Sequence, residues 1–306
     1  MAKKIKIPRP RVIPPQAALS PMFNWIGGKR WAAPMLAQMI AGRTDRVVEL
    51  FGGALGVSLS LMPRKAHIND NSPYLIGLYE AVKAGAFPAP VGVPNTEAKH
   101  RAAYANLKRL WKRGVRSGPQ LGHAFYPVMI GAFNGIYRTN KDGMLGATGW
   151  NKRRAPRQVQ NWKPYQQAFK WWSFSCADWA ETPVKKGDLV IADPPYHDTW
   201  AGYSSSGFPF HEQTRLALAM LDHPGATILH NHSSMEKTYA DLGFAVALIP
   251  HGYMSGTGAK KNSQEVIATK DVPLPSAKGI TVVRAKQAKH LTSGATVRAL
   301  SKRKKP

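Results

Sequence analysis

A chain of 306 residues with 43% hydrophobic side chains can bury the core of one large α/β domain with an insertion, or of two small domains, which excludes wholesale disorder. Its 43 Lys and Arg against 17 Asp and Glu give a net charge of +26, the footprint of a polyanion partner: DNA or RNA first, an anionic membrane surface second. The single cysteine, Cys176, excludes an intrachain disulfide and a multi-cysteine zinc site.

Residues 1–20 read as a basic, proline-rich arm, with Lys3, Lys4, Lys6, Arg9 and Arg11 set among Pro8, Pro10, Pro14 and Pro15. No signal-type apolar core and no membrane-spanning run is present, so the expectation is a cytoplasmic, non-secreted protein. Phe23 to Arg30 then enters a helix running from Trp31 to about Ala41. Gly27-Gly28 permits close backbone approach to a ligand, Trp25 could flank a flat ring, and Lys29 could reach a carboxylate or phosphate. A plain helix-entry loop reads equally well there.

Arg46 to Glu49 reads as a strand, Phe51-Gly52-Gly53 as a turn, and Val57 to Met62 as a helix, which together make the first βα unit of a nucleotide-type fold. Phe51 occupies a position where the dinucleotide fingerprint requires glycine, which speaks against a dehydrogenase. A second strand, Ala66 to Asn69, ends at Asp70, placed to accept both ribose hydroxyls of an adenosine or simply to cap a turn. Pro73 to Lys83 follows as a helix.

Gly85 to Pro94 reads as a linker, and Asn95 or Thr96 caps a helix running to about Arg113 and ended by Gly114. Tyr104, Leu107 and Trp111 share one face of it; Lys99, Arg101, Lys108, Arg109, Lys112 and Arg113 crowd the rest and suit phosphates. Phe125 to Tyr137 is apolar and aromatic, and Arg138 to Gly143 turns the chain; a core strand plus turn is one reading. Residues 151–165 read as a basic loop against phosphates, interleaving Trp150 and Trp162 with cations. Trp171 to Cys176 reads as a strand with core tryptophans, and Asp178-Trp179 as a helix start.

Leu189 to Ala192 is a short apolar run of the kind that forms a buried parallel strand. Pro194 and Pro195 lack N–H groups and fix φ, so the strand stops and leaves Asp193 and Tyr196 at a sheet's carboxyl edge. That edge suits methylation of an exocyclic amine on a flat ring, a weak nucleophile because its lone pair is delocalised. Asp193 would accept one N–H, the Pro194 carbonyl the other, and Tyr196 would stack on the base, which must be flipped out of a duplex to arrive. An ordinary strand with Asp193 capping a Pro-Pro turn is the rival reading.

His197 to Phe210 reads as a loop able to close over that base, followed by a helix (His211 to Asp222) and a strand (Ala226 to His230). His230-Asn231-His232 lacks the cysteines or acidic cluster a metal site needs, so no metal is expected. Two closing strands flank Met254 to Ala259, and residues 271–306 form a basic tail with a strand near Ile280 to Arg284.

Asn24-Trp25-Ile26-Gly27-Gly28-Lys29, Val48-Glu49-Leu50-Phe51-Gly52-Gly53, Asn69-Asp70-Asn71-Ser72 and Asp193-Pro194-Pro195-Tyr196 resemble, in that order, the motifs of the Dam-type (alpha-group) N6-adenine DNA methyltransferases. The resemblance implies a Rossmann-like α/β sheet that binds S-adenosyl-L-methionine (AdoMet), with an inserted, smaller, mostly helical target-recognition domain. Residues 21–83 and 166–270 would form the catalytic unit and residues 84–165 the insertion. It further implies that Trp25, Gly28, Lys29, Glu49, Phe51, Gly52, Asp70 and Asp193 line the AdoMet site. Asp193, Pro194, Pro195 and Tyr196 would hold the target adenine of double-stranded DNA. Phe133-Asn134-Gly135-Ile136-Tyr137-Arg138 resembles the family's target-recognition hairpin, which puts Phe133, Asn134, Arg138 and Lys141 against DNA. The chain departs from the pattern at Leu50, usually proline, at Ala54-Leu55-Gly56, usually shorter, and at Ile130, often arginine in readers of GATC. Rival readings are a methyltransferase acting on RNA or protein glutamine, and a non-catalytic DNA-binding protein on the same fold. No motif specifies a recognition sequence or an oligomeric state.

Overall fold

Every residue of Leu189–Ala192 (β4) is buried, as a strand covered on both faces must be. Its neighbour Arg46–Glu49 (β1) alternates in the same way: Val47 faces a cluster with Leu36 and Met39 of Ala33–Ile40 (α1). Val48 faces the opposite cluster, with Leu216 of Phe210–Asp222 (α7) and Tyr239 of Glu236–Leu242 (α8). The computed structural model describes residues 18–41, 46–87, 94–151, 158–196, 208–254, 260–276 and 279–284.

Across the described residues the sheet has eight strands, in the spatial order Trp172–Ser175 (β3), Lys65–Asn69 (β2), β1, β4, Thr227–His232 (β5), Lys260–Lys270 (β7), Ala245–Met254 (β6) and Thr281–Arg284 (β8). Strands β2, β3 and β5 run parallel to β1 and β4. Strand β7 is antiparallel to both β5 and β6, and β8 closes the edge. The strand order reverses between β1 and β4, so a crevice opens at their carboxyl ends, where open α/β sheets bind ligands. Leu50 explains one departure from the family pattern. Its N–H donates to the Ile191 carbonyl at 3.0 Å and extends the β1–β4 pairing by a bond that proline could not make.

Ser58–Leu61 (α2) and Pro73–Lys83 (α3) follow β1 and β2 as expected, and Ser72 caps α3. Glu97–Lys112 (α4) is capped by Thr96, whose Oγ1 accepts the Lys99 N–H at 3.2 Å, and its cations lie outside a buried stripe of His100, Leu107 and Trp111. The strand reading of 125–137 is overturned. Pro119–Gly131 (α5) is a helix apolar on nearly every side, and a run buried all round carries no period that separates helix from strand. Ile130 therefore points into the core.

The basic loop of 151–165 gives way to Lys163–Phe169 (α6), and Trp162 is a core residue stacked on Phe87 with ring centroids 4.4 Å apart. The helix expected at Asp178-Trp179 is one 3₁₀ turn, Trp179–Glu181. Trp172 and Trp179 are buried, but Trp171, read as core, is 63% exposed. The arm to residue 17, the stretches 88–93, 152–157, 197–207 and 255–259, and the tail from residue 285 lie outside the described residues, with the readings placed on them. No helix among the described residues is long and apolar enough to cross a membrane.

Candidate active site

Three segments meet at the β1/β4 crevice. The first is the loop before α1. Trp25 there sets its indole Nε1 beside Gly53, and its ring lies 5.2 Å from Tyr137 and 5.9 Å from Phe23. Lys29 is 5% exposed; its Nζ donates to the Gly27 carbonyl at 2.8 Å and pairs with Asp193 Oδ2 at 3.0 Å. The same ammonium lies 4.9 Å from the centroid of the Tyr196 ring. Gly28 is exposed, and its N–H closes the turn onto the Trp25 carbonyl.

The second segment is the turn after β1. Gly52 donates to the Asn69 carbonyl at 2.8 Å, and a Cβ there would overlap Ile68, so only glycine permits that approach of β1's end to β2. Asp70 ties the turn down: one carboxylate oxygen accepts the Gly53 N–H and the other the Ser72 N–H, each at 2.9 Å. Tyr79 donates to the Gly53 carbonyl from below. Leu55 adopts φ +61° while fully buried, so the longer turn Ala54-Leu55-Gly56 is held by packing. Phe51 packs edge-on against Phe208.

Glu49, at the end of β1, accepts from the Ser58 hydroxyl. Burial pushes its carboxyl up to about 8; Ser58 opposes the shift, and the negative charges of Asp193 and Asp70 add to it. Burial likewise raises Asp70, against the two backbone amides it accepts from. Asp193 goes the other way. Burial would raise it, but the Lys29 ammonium, helped by His230, outweighs that and holds the carboxyl below its ordinary range. An ionised carboxylate thus stands at the tip of β4.

The third segment is the chain after Ala192. The Pro195 carbonyl accepts from Gln213 Nε2 of α7 at 2.8 Å, and Gln213 Oε1 accepts from Asn231 Nδ2 of β5 at 2.8 Å. Asn231 Nδ2 also reaches the Tyr239 hydroxyl at 2.9 Å, and this chain of amides is buried. Tyr196 sits half-buried, its phenol driven far up by burial and by Asp193 and Glu265. Gln213 and Tyr239 were not singled out from sequence, and Asn231 was weighed only within His230-Asn231-His232 as a metal site and set aside. The signal available was the polar His230-Asn231 pair following the apolar Ile228-Leu229 of a strand.

Residues 133–138, expected from the resemblance to form a recognition hairpin, are tied to the same place. A Cβ on Gly135, at φ +68°, would overlap the Asn24 carbonyl, so that turn lies on the backbone of the Trp25 loop. The Tyr137 hydroxyl bonds Ser72 Oγ at 2.9 Å, next to Asp70. Phe133 (38% exposed), Asn134, Arg138 and Lys141 stay at the surface, and Asn140 to Met144 forms the expected turn. Among the described residues, no three His, Cys, Asp or Glu side chains converge as metal ligands.

Raised Glu49 yields a stability prediction. A carboxyl at about 8 in the fold and 4.5 in the open chain makes the folded state bind the extra proton, so its contribution falls as pH rises between those values. Glu49→Gln keeps an acceptor for Ser58 and removes that slope. The melting temperature of the variant relative to the native chain should rise by several degrees from pH 5 to pH 9; a constant difference would refute the assignment.

Residues 25–246 match the family described as D12 class N6 adenine-specific DNA methyltransferase. The chain is also 23% identical over 260 residues to the retron Ec67 DNA adenine methylase of Escherichia coli, covering 82% of this chain and 91% of that protein. An acidic strand tip followed by Pro-Pro-Tyr, beside a glycine turn at the switch point, is what the match spans. The chain belongs to the D12 class of N6 adenine-specific DNA methyltransferases, and the reaction it catalyses is methylation of adenine N6 in DNA.

Proposed function

We propose that the methyl donor is AdoMet, bound at the β1/β4 crevice by Trp25, Gly28, Lys29, Glu49, Phe51, Gly52, Asp70 and Asp193, and that the adenine is flipped out of duplex DNA. The residues fit the donor's chemistry. The Glu49 carboxyl feels the negative charges of Asp193 and Asp70, beside glycines that leave room for a ligand. A ligand carrying a sulfonium and an ammonium would relieve that crowding. When bound, AdoMet supplies an electrophilic methyl group.

The chain's own residues do the rest. Each Asp70 oxygen keeps a lone pair beyond its backbone bond, so the carboxylate can accept ribose hydroxyls while still anchoring the turn. Ionised Asp193 accepts one N–H of the adenine amine, the Pro194 carbonyl accepts the other, and the nitrogen lone pair is thereby turned out of the ring plane. Tyr196 stacks on the base. Residues 84–165 read the duplex through Phe133, Asn134, Arg138 and Lys141, and residues 21–83 with 166–270 form the catalytic unit. Gly135, seated on the Trp25 loop, links the two functions. The observation carrying this reading is the ionised Asp193 gripped by Lys29 at the switch point.

Incubation with methyl-labelled AdoMet and DNA, RNA or protein should label duplex DNA as N6-methyladenine; label in RNA or in glutamine instead would overturn the substrate. Duplexes carrying 2-aminopurine at the target should brighten several-fold on binding, because an extruded base loses stacking. Unchanged fluorescence with tight binding would refute flipping.

A further inference from the structure

His230 ends the apolar part of β5 and is buried, an unusual place for an imidazole that the reaction as described leaves without a role. Its Nδ1 lies 3.7 Å from Asp193 Oδ1 and 3.3 Å from Glu265 Oε2. Glu265 belongs to β7, in register with His232, and is itself nearly covered. Tyr196 and Lys29 complete the surroundings, the first coupled to Glu265 and the second bound to the other oxygen of Asp193. The ring of Trp31 covers the imidazole at 5.8 Å. Neither Nδ1 nor Nε2 of His230 makes a hydrogen bond of normal length among the described residues. Buried polar atoms are nearly always paired, and here Asp193 Oδ1, His230 Nδ1 and Glu265 Oε2 converge within reach of one proton without a closed hydrogen bond. Catalytic hydrogen bonds tighten as substrate closes on them, so separations of this size suit a positioning contact.

We propose that His230 is a positioning residue, whose Nδ1–H, shared between Glu265 Oε2 and Asp193 Oδ1, holds Asp193 Oδ1 while Lys29 holds Oδ2, so that the carboxylate meets the adenine amine in one orientation. It rests on the assignment of Asp193 above. The logic is that of a third group orienting the one that touches substrate: a carboxylate gripped at a single oxygen can swing about that bond, and a second grip removes the freedom. No proton leaves His230 in the reaction; the amine's proton departs past Asp193 to solvent.

The side-chain geometry supplies the test. An asparagine at 230 places its Nδ2–H about where Nδ1–H stands, a glutamine places its amide near Nε2, and leucine keeps only the bulk. His230→Asn should keep kcat within a few-fold of native. His230→Gln and His230→Leu should lose roughly 10–100-fold in kcat. DNA affinity and AdoMet binding, followed by calorimetry, should stay unchanged in all three. Equal losses in the three variants, or full activity in His230→Gln, would overturn the proposal. If His230→Leu does not fold, the Asn and Gln pair alone decides it. Asp193→Asn run in parallel separates the two claims: if it stays active, the assignment of Asp193 fails, whereas an inactive Asp193→Asn beside a fully active His230→Gln sinks only the role of His230.

Discussion

Asp193→Asn should lower methyl transfer by ~10³-fold or more while the protein still binds duplex DNA. Asparagine keeps the shape and removes the charge, so the change isolates the carboxylate's chemistry. A neutral amide accepts more weakly from the amine, and its NH₂ end offers a donor where an acceptor is wanted. There is a structural consequence as well. Lys29 is 5% exposed and pairs with Asp193 at 3.0 Å, and removing one member of a buried pair leaves an uncompensated charge. A loss on the order of 3 kcal/mol in stability is expected from that alone. Denaturant titration and filter binding, performed with the methylation assay, separate the two effects. Turnover within tenfold of native in a folded variant would contradict the proposed role of the carboxylate.

Gly122→Ala should have the largest effect on folding, costing about 3 kcal/mol or more by overpacking and lowering the melting temperature by roughly 6–12 °C. A Cβ on Gly122 of α5 would overlap the backbone of Gly77 and Leu78 in α3, and one on Gly77 would overlap Gly118 in return. Two helices cross there with their backbones in contact, and neither backbone can yield as a side-chain end could. The apolar cluster that joins Tyr74 and Leu78 of α3 to Phe125 and Met129 of α5 also holds Ile68 of β2 and Tyr137, which follows the exposed turn at Phe133. Loosening the crossing therefore loosens the seat of Ser72 and Asp70 together with the surface turn. Gly146→Ala is the control, because its Cβ would find ordinary contact distances of 3.5 Å or more. Equal melting temperatures for Gly122→Ala and the native chain would show that the crossing is slack.

Much of the site could be read along the chain because each piece is local. Asp193-Pro194-Pro195-Tyr196 needs no distant residue to become a rigid strand tip, and Gly52-Gly53 declares its turn by the absence of side chains. Lys29 was read as a group reaching a carboxylate or phosphate; the fold shows its carboxylate to be Asp193. Asp70, read as a ribose acceptor or a turn cap, is seen capping, with its oxygens on Gly53 and Ser72. The helix α5 was missed because burial on every side erases periodicity, and Trp171 was misplaced because a tryptophan's position in a strand does not reveal which side is covered.

Composition, the apolar period of the strands and the proline stop after β4 determined by themselves that this would be a basic α/β protein with an acidic, aromatic strand tip, since those properties depend on neighbours in the chain. Only the tertiary structure decided that Glu49 would be protonated near neutral pH while Asp193 stays ionised, and that Gln213, Asn231, His230 and Glu265 would stand behind the tip. The reason is physical: a carboxyl's charge state and a side chain's partners are set by what lies within a few ångströms in space, and here those groups come from strands and helices far apart in sequence.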